Sequence, residues 1–387
     1  MSAETRIVIV GAAGFTNFGD DAILTAMLAE LRAALPGPHF TVAGGVPEEL
    51  PVADDVRPIR LDTGPLDAAL ATADLAIVGG GGFLYDYDGI LSPHDLLRGD
   101  VTFMYPYLRG ALCARARNVP LYFYALGAES LVTPVGRALT RDFLSLADAI
   151  TVRDSLALRE LRNAGISGPV EVTADPAVRL EPPAATWPSR PAGRVVGFVP
   201  RLWLRFSGGW SSDGEERFDR YCAWLADAAD HAWDEWQATS VFLAGQRYND
   251  DDLEAAERII GRMRNSERAV VLAAVESLER YHAVLASMDA LVSSRLHPMI
   301  LAATAGVPSV GVVVSAKIVA FLSRLGLEHL AVSPWGASGH RLRGALDVCF
   351  RDGDALRAQL RDGIAEQRAA AERNPELAAR LVAAGGT

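Results

Sequence analysis

Residues 290–317 read ALVSSRLHPMILAATAGVPSVGVVVSAK, and their order of apolar runs and polar turns decides the fold class. Ala290 to Val292 is a short buried-strand run, followed by Ser293, Ser294, Arg295, Leu296 and His297. Pro298 stands where a helix favours proline, because its missing N–H has no partner in the first turn anyway. The helix continues over Met299 to Thr304 and stops at Gly306 and Pro308. Val310 to Val314 is a second strand run, with Lys317 just beyond it. In an open parallel sheet, groups past the carboxyl ends of strands line the crevice where ligands bind. Arg295, His297 and Lys317 are therefore expected at one anion-binding pocket, near the positive end of a short helix. The competing reading of each residue alone is a solvated or capping side chain.

Working outward, the same unit recurs. RIVIV (Arg6–Val10) is a buried strand, and GAAGFTNFGDDAIL after it is a glycine turn opening a helix with Asp20 or Asp21 at its cap. Its glycines are spaced GxxGxxxxG, so they do not by themselves define a dinucleotide site. Asn17 and Asp20 either shape this turn or hold a substrate hydroxyl. LAIV (Leu75–Val78) is a strand ended by four glycines, Gly79 to Gly82. Successive glycines either form an anion-binding nest of backbone N–H groups or let two segments approach closely. The segment through Ser92, Pro93 and His94 is loop-like and could cover a site. Strands at Leu121–Leu126 and Ala149–Val152 follow, and Arg153 stands at the end of the latter, either in the crevice or paired with Asp154.

Glu181 to Gly193, EPPAATWPSRPAG, has linker composition. A second strand series begins at Val195–Val199, with Arg201 and Arg205 after it, and beyond Asp354 the chain is helical. The pattern implies an α/β protein of two Rossmann-like domains facing across a cleft, with a C-terminal helix packing back across both. The expected bounds are 1–182, 193–350 and 351–387.

Composition narrows the function. The 387 residues carry a formal net charge of −11, which argues against nucleic acid or an acidic membrane as partner. At most peripheral membrane contact is expected, and a homodimer is compatible with the composition. The three cysteines, Cys113, Cys222 and Cys349, are widely separated and suggest neither a metal site nor a disulfide frame. The start MSAETR lacks a signal-peptide pattern, and a cytoplasmic location is expected. There is no GxxxxGK[ST] loop and no GxSxG elbow, so P-loop and hydrolase readings lose support.

Taken together, GAAGFTNFGDDAIL, LAIVGGGGF, ITVRDSLALRELRNAGI, VTADPAVRL and SSRLHPMILAATAGVPSVGVVVSAK resemble the polysaccharide pyruvyl transferase family, in family order over about residues 6–325. The resemblance implies a GT-B-like fold and transfer of the pyruvyl group of phosphoenolpyruvate to sugar hydroxyls, usually as a cyclic ketal. It implies His297 and Asp20 as catalytic residues. It assigns the donor to Arg153, Arg295, Lys317, Arg201 and Ser294, since arginine forks and a lysine point charge suit a carboxylate and a phosphate. Asn17, Asp20, Gly80 and Gly81 would meet a sugar-containing acceptor. No metal or cofactor is required, phosphoenolpyruvate being a co-substrate. This chain departs from the family at Gly127-Ala128, where a Gly-Pro pair is common, and at Val314-Ser315-Ala316, where an aromatic residue usually precedes the lysine. A single enolpyruvyl ether in place of a ketal, a nucleotide-sugar glycosyltransferase, and a non-catalytic sugar- or anion-binding relative stay open at this stage.

Overall fold

The computed structural model describes residues 4–50, 52–86, 104–184, 187–202, 214–246, 252–273, 275–335 and 339–385. Ser92, Pro93, His94 and Arg205 lie outside them. The chain divides into two compact units: Met1–Thr16, Asp20–Arg179 and Gln367–Thr387 in the first, Asn17–Gly19 and Leu180–Glu366 in the second.

The first unit is built on seven parallel strands: β1 (Thr5–Val10), β2 (Pro38–Gly44), β3 (Val56–Arg60), β4 (Leu75–Leu84), β5 (Leu121–Ala128), β6 (Ala149–Val152) and β7 (Glu171–Val172), ordered β3-β2-β1-β4-β5-β6-β7. A strand turns alternate side chains to opposite faces. Ile7 and Ile9 accordingly join Leu24, Met27, Leu28 and Leu31 of the helix Phe18–Ala34. Val8 and Val10 face the other way, toward Leu66, Leu70, Leu108 and Ala111. Because both faces are covered, the strands read as continuous apolar runs. The C-terminal helix Arg373–Gly385 completes the first face through Ala378. Its fully buried Asn374 sets Oδ1 within 2.8 Å of Thr151 Oγ1 and 3.0 Å of Thr173 Oγ1.

Strand β4 runs further than the sequence suggests. The glycines do not end it at Val78; they are paired within it, Gly79 opposite Tyr124 and Gly81 opposite Leu126, and the strand reaches Leu84. Gly79 adopts φ 141°, and a Cβ there would stand 2.4 Å from the Tyr124 carbonyl oxygen. Close approach of β4 to β5 is what this glycine provides.

The second unit repeats the plan with six parallel strands: β8 (Arg194–Val199), β9 (Ala238–Leu243), β10 (Ala269–Leu272), β11 (Ala290–Ser293), β12 (Ser309–Val312) and β13 (Ala331–Val332), ordered β10-β9-β8-β11-β12-β13. In both sheets the strand order reverses beside the first strand, β1 or β8. The carboxyl ends of β1 and β4, and of β8 and β11, are thus the switch points where doubly wound sheets bind ligands.

Gly79→Ala should destabilise the protein by roughly 3 kcal/mol, because the new Cβ meets backbone that cannot yield. Gly64→Ala, in a helix with nothing within 4 Å of the added carbon, should be neutral or stabilising by about 0.5–1 kcal/mol. Urea unfolding of the two variants checks the contrast.

Candidate active site

The turn after β11 is shaped by its own side chains. Ser293 Oγ accepts the Arg295 N–H at 3.0 Å and donates to the Arg295 carbonyl at 2.7 Å. Arg295, extended at φ −120° and ψ 141°, then caps a helix that begins at Leu296. The sequence places that start at Pro298; the proline is instead the third helical residue, still inside the turn whose N–H groups have no intrahelical acceptor. His297 is therefore carried on the positive end of the helix Leu296–Thr304. Ser294 is 2% exposed, and its hydroxyl lies 2.6 Å from the Tyr221 hydroxyl, which also accepts the Arg201 N–H at 3.1 Å. Tyr221 thus ties together the carboxyl ends of the neighbouring strands β8 and β11.

The glycine turn meets this helix. The cap of the helix Phe18–Ala34 is Asn17, not Asp20 or Asp21: Asn17 Oδ1 accepts the Gly19 N–H at 2.9 Å. The amide reaches that N–H because Asn17 lies just ahead of the first turn, whereas both aspartates lie within it. Asn17 also forms an antiparallel bridge with Gln246. The Phe18 ring stacks on Tyr281, with centroids 4.2 Å apart. A Cβ on Gly19 would stand 2.1 Å from His297 Nδ1. The NFGD and RLH motifs therefore meet through a glycine that leaves room for an imidazole.

Arg295 points at a carboxylate. Its Nε and Nη2 donate to Asp252 Oδ2 and Oδ1 at 2.6 and 2.8 Å, and Nη1 donates to Gln246 Oε1 at 3.2 Å. Asp252 is fully buried and also accepts the Gly245 and Gln246 N–H groups at 2.8 and 3.1 Å. A Cβ on Gly245 would lie 2.5 Å from Arg295 Cδ. Lys317 is the second residue of the helix Ala316–Arg324. A cation in a first helical turn opposes the dipole by about 0.3–1 kcal/mol, so this placement suits a shared anion. Next to it, the covered Ser315 Oγ has no hydrogen-bond partner among the described residues.

In the first unit Arg153 is 5% exposed, with Nη1 on Asp175 Oδ2 at 3.0 Å and Nε 3.5 Å from Asp154 Oδ2. Burial works against its charge, but Asp175, Asp154 and Glu129 outweigh burial and raise its pKa. Asp154 additionally caps the following helix by accepting the Ala157 N–H at 2.7 Å. Gly127 and Gly82 make room for the guanidinium: a Cβ would come within 2.7 Å of Arg153 Cζ at the first and 3.2 Å of Nη2 at the second. Gly80 packs on Ile23, while Asp20 Oδ1 sits 3.5 Å from the Cβ position of Gly81. Asp21 is 9% exposed. Burial first, then the charges of Asp20 and Glu49, push its carboxyl up to about 7 against a hydrogen bond from the Gly14 backbone.

Of the residues singled out in the sequence, Asn17, Ser294, Arg295, His297, Lys317 and Arg201 belong to the second unit, and Asp20, Gly80, Gly81 and Arg153 to the first. Sequence reading missed Asp252, Gln246, Tyr221 and the match of Gly19 to His297. The only signal for the first two was a glycine-glutamine turn after β9 with an aspartate opening the next helix. Among the described residues, no three His, Cys, Asp or Glu side chains gather into a metal-holding group, and no helix is long and apolar enough to cross a membrane.

Two parallel Rossmann-like sheets place the chain in the α/β class of GT-B-like folds, and solved structures of that class are similar to it throughout. A UDP-N-acetylglucosamine 2-epimerase from Listeria monocytogenes, described as putative, superimposes with TM-score 0.63 at 12% identity, covering 100% of this chain and 98% of its own. The Neisseria meningitidis UDP-GlcNAc 2-epimerase bound to UDP-GlcNAc gives 0.60 at 10% identity, covering 99% and 100%. The S. aureus MnaA–UDP structure gives 0.58 at 13%, covering 96% and 92%. At such identities the likeness is one of fold. A model of the polysaccharide pyruvyl transferase family matches residues 17–315, and the chain belongs to that family. It is thus an enzyme of pyruvyl transfer in polysaccharide modification. No curated protein matches the sequence.

The Asp21 carboxyl makes stability depend on pH. Its folded pKa of about 7 lies above the unfolded value of 3.8. Its contribution is therefore complete below pH 3.8 and is lost as pH rises through 7. Asp21→Asn should remove roughly 1–3 kcal/mol of this loss. The variant should gain on the parent between pH 5 and pH 8 in parallel urea titrations.

Proposed function

We propose that the chain transfers the pyruvyl group of phosphoenolpyruvate to two hydroxyls of a sugar-containing acceptor, forming a cyclic ketal and releasing phosphate. The observation that carries the reading is the pairing of His297 and Lys317 on the first turns of two helices that follow neighbouring strands, β11 and β12. Two helix N-termini, a lysine and a Ser315 hydroxyl without a partner among the described residues suit a donor with a phosphate and a carboxylate.

The chemistry follows from the donor. The His297 imidazolium gives its proton to the methylene carbon, leaving an oxocarbenium-like centre at C2 that an acceptor hydroxyl attacks. The C2–O bond to phosphate then breaks, and a second hydroxyl adds at C2 to close the ketal. The hydroxyl protons released in the two additions leave one on the imidazole and one on phosphate. Histidine is the side chain suited to both directions of transfer near neutral pH. Lys317 holds the phosphate as a point charge. Arg295, with one edge already committed to Asp252, frames the pocket more than it neutralises the donor. Arg201 follows β8 at the adjoining strand end and contributes to donor charge, and Ser294 fixes the turn. Asp20, beside Gly81, is assigned to the acceptor, with Arg153 shaping that strand end. Asn17 acts by holding the turn that supports His297. The UDP-GlcNAc carried by the Neisseria relative supports an acceptor of sugar-containing chemistry. The scheme needs no metal or redox cofactor, and the expected setting is the cytoplasm.

Phosphate release from phosphoenolpyruvate in the presence of sugar acceptors, with mass spectrometry of the product, tests this. His297→Ala should lower turnover by roughly 10² to 10⁴ with little change in donor affinity, whereas Lys317→Ala should mainly weaken the donor. Equal losses of turnover and affinity in both variants would refute this division of roles. No phosphate release by the parent protein would refute the donor.

A further inference from the structure

In the second unit a fully buried carboxylate, Asp252, is aimed at the arginine two residues before His297. Asp252 engages both Nε and Nη2 of Arg295, the edge-on geometry that fixes a guanidinium most firmly. Its Oδ2 also accepts the two backbone N–H groups of Gly245 and Gln246, so the carboxylate is itself anchored. Gln246 contributes at two points, its side chain to Arg295 Nη1 and its backbone to the bridge with Asn17. Gly245 lacks a Cβ where one would collide with Arg295 Cδ at 2.5 Å.

Topology gives this pair a particular span. Asp252 and Gly245 follow β9, Arg295 follows β11, and both strands flank β8. The pair therefore reaches over the carboxyl end of β8, about 10 Å across two strand spacings. That is the switch point of the second sheet. It is joined there by the turn Asn17–Gly19, whose glycine backs the His297 ring. One polar link from that turn is the bridge of Asn17 to Gln246, whose side-chain oxygen accepts from Arg295.

We infer that Asp252 is a positioning residue for pyruvyl transfer: acting through Arg295 and Gln246, it holds the His297 turn in register with the donor subsite. The inference rests on the functional reading above. It differs from a purely structural ion pair in what it costs. A structural pair affects how much protein folds, whereas a positioning pair affects what the folded protein does, because displacement of about 1 Å at a reacting centre can cost ~10²-fold in rate.

The test is a double-variant cycle on Asp252→Asn and Arg295→Lys, reading kcat and KM for phosphoenolpyruvate on folded protein at saturating acceptor. Each single variant should lose about 10²-fold in kcat/KM, and the double variant should lose no more than twofold beyond the worse single, since both break one device. Where Asp252→Asn does not fold, Gln246→Ala takes its place. It leaves the charges paired and should lose roughly tenfold in kcat with an unchanged unfolding midpoint. Multiplying losses, an unaffected kcat/KM in Asp252→Asn, or a Gln246→Ala effect confined to stability would overturn the inference. If the parent protein releases no phosphate from phosphoenolpyruvate, it is the donor reading that fails. The same cycle is then read on inorganic phosphate binding by calorimetry, where non-additive losses uphold the positioning role and additive ones refute it.

Discussion

Arg295 and Asp252 are opposite charges buried together, and much of the second unit is arranged to make that tolerable. Taking two ions out of water costs several kcal/mol each, and their attraction offsets this only when the remaining lone pairs and protons are also satisfied. Here they are met by two backbone N–H groups on the carboxylate and a glutamine oxygen on the guanidinium. The requirement dictates a glycine at 245, a turn that presents successive N–H groups, and a glutamine at 246. Those residues in turn fix the strand ends from which His297 is carried.

The first unit solves a similar problem with different parts. Arg153 is likewise buried at a strand end and held by an aspartate from a neighbouring element, Asp175 at 3.0 Å. Glycines at 82 and 127 give it volume. This lends a physical role to Gly127, whose missing side chain leaves room for the guanidinium. In both units an arginine that would suit an anion by itself arrives with its own carboxylate.

The fold was legible because β-branched runs buried on two faces alternate with helical periodicity, as RIVIV and the helix after it show. The placement of His297 and Lys317 just after successive strands was legible for the same reason: the turns that bear them are short and adjacent in the chain. The adjacent partner of Arg153, Asp154, was legible, but the distant ones were not, because Asp252 is 43 residues from Arg295 and Asp175 is 22 from Arg153. No local pattern distinguishes an arginine awaiting a ligand from one already paired. Likewise the glycine run at 79–82 reads as a strand end, since propensity gives glycine little place in a sheet. Only the approach of β5 within 2.4 Å of a would-be Cβ explains it. Gly19 was read as part of a turn, but its absent side chain matters for a histidine far along the chain.

The most direct test of a phosphoenolpyruvate site is thermal unfolding with and without millimolar phosphoenolpyruvate, using a uridine diphosphate sugar as the comparison. Ligand at about 100 times its dissociation constant adds roughly 2.7 kcal/mol of stability, a clear rise in midpoint. The account predicts that rise with phosphoenolpyruvate and its loss in Lys317→Ala. A rise with the nucleotide sugar alone, or none with either ligand, would contradict it.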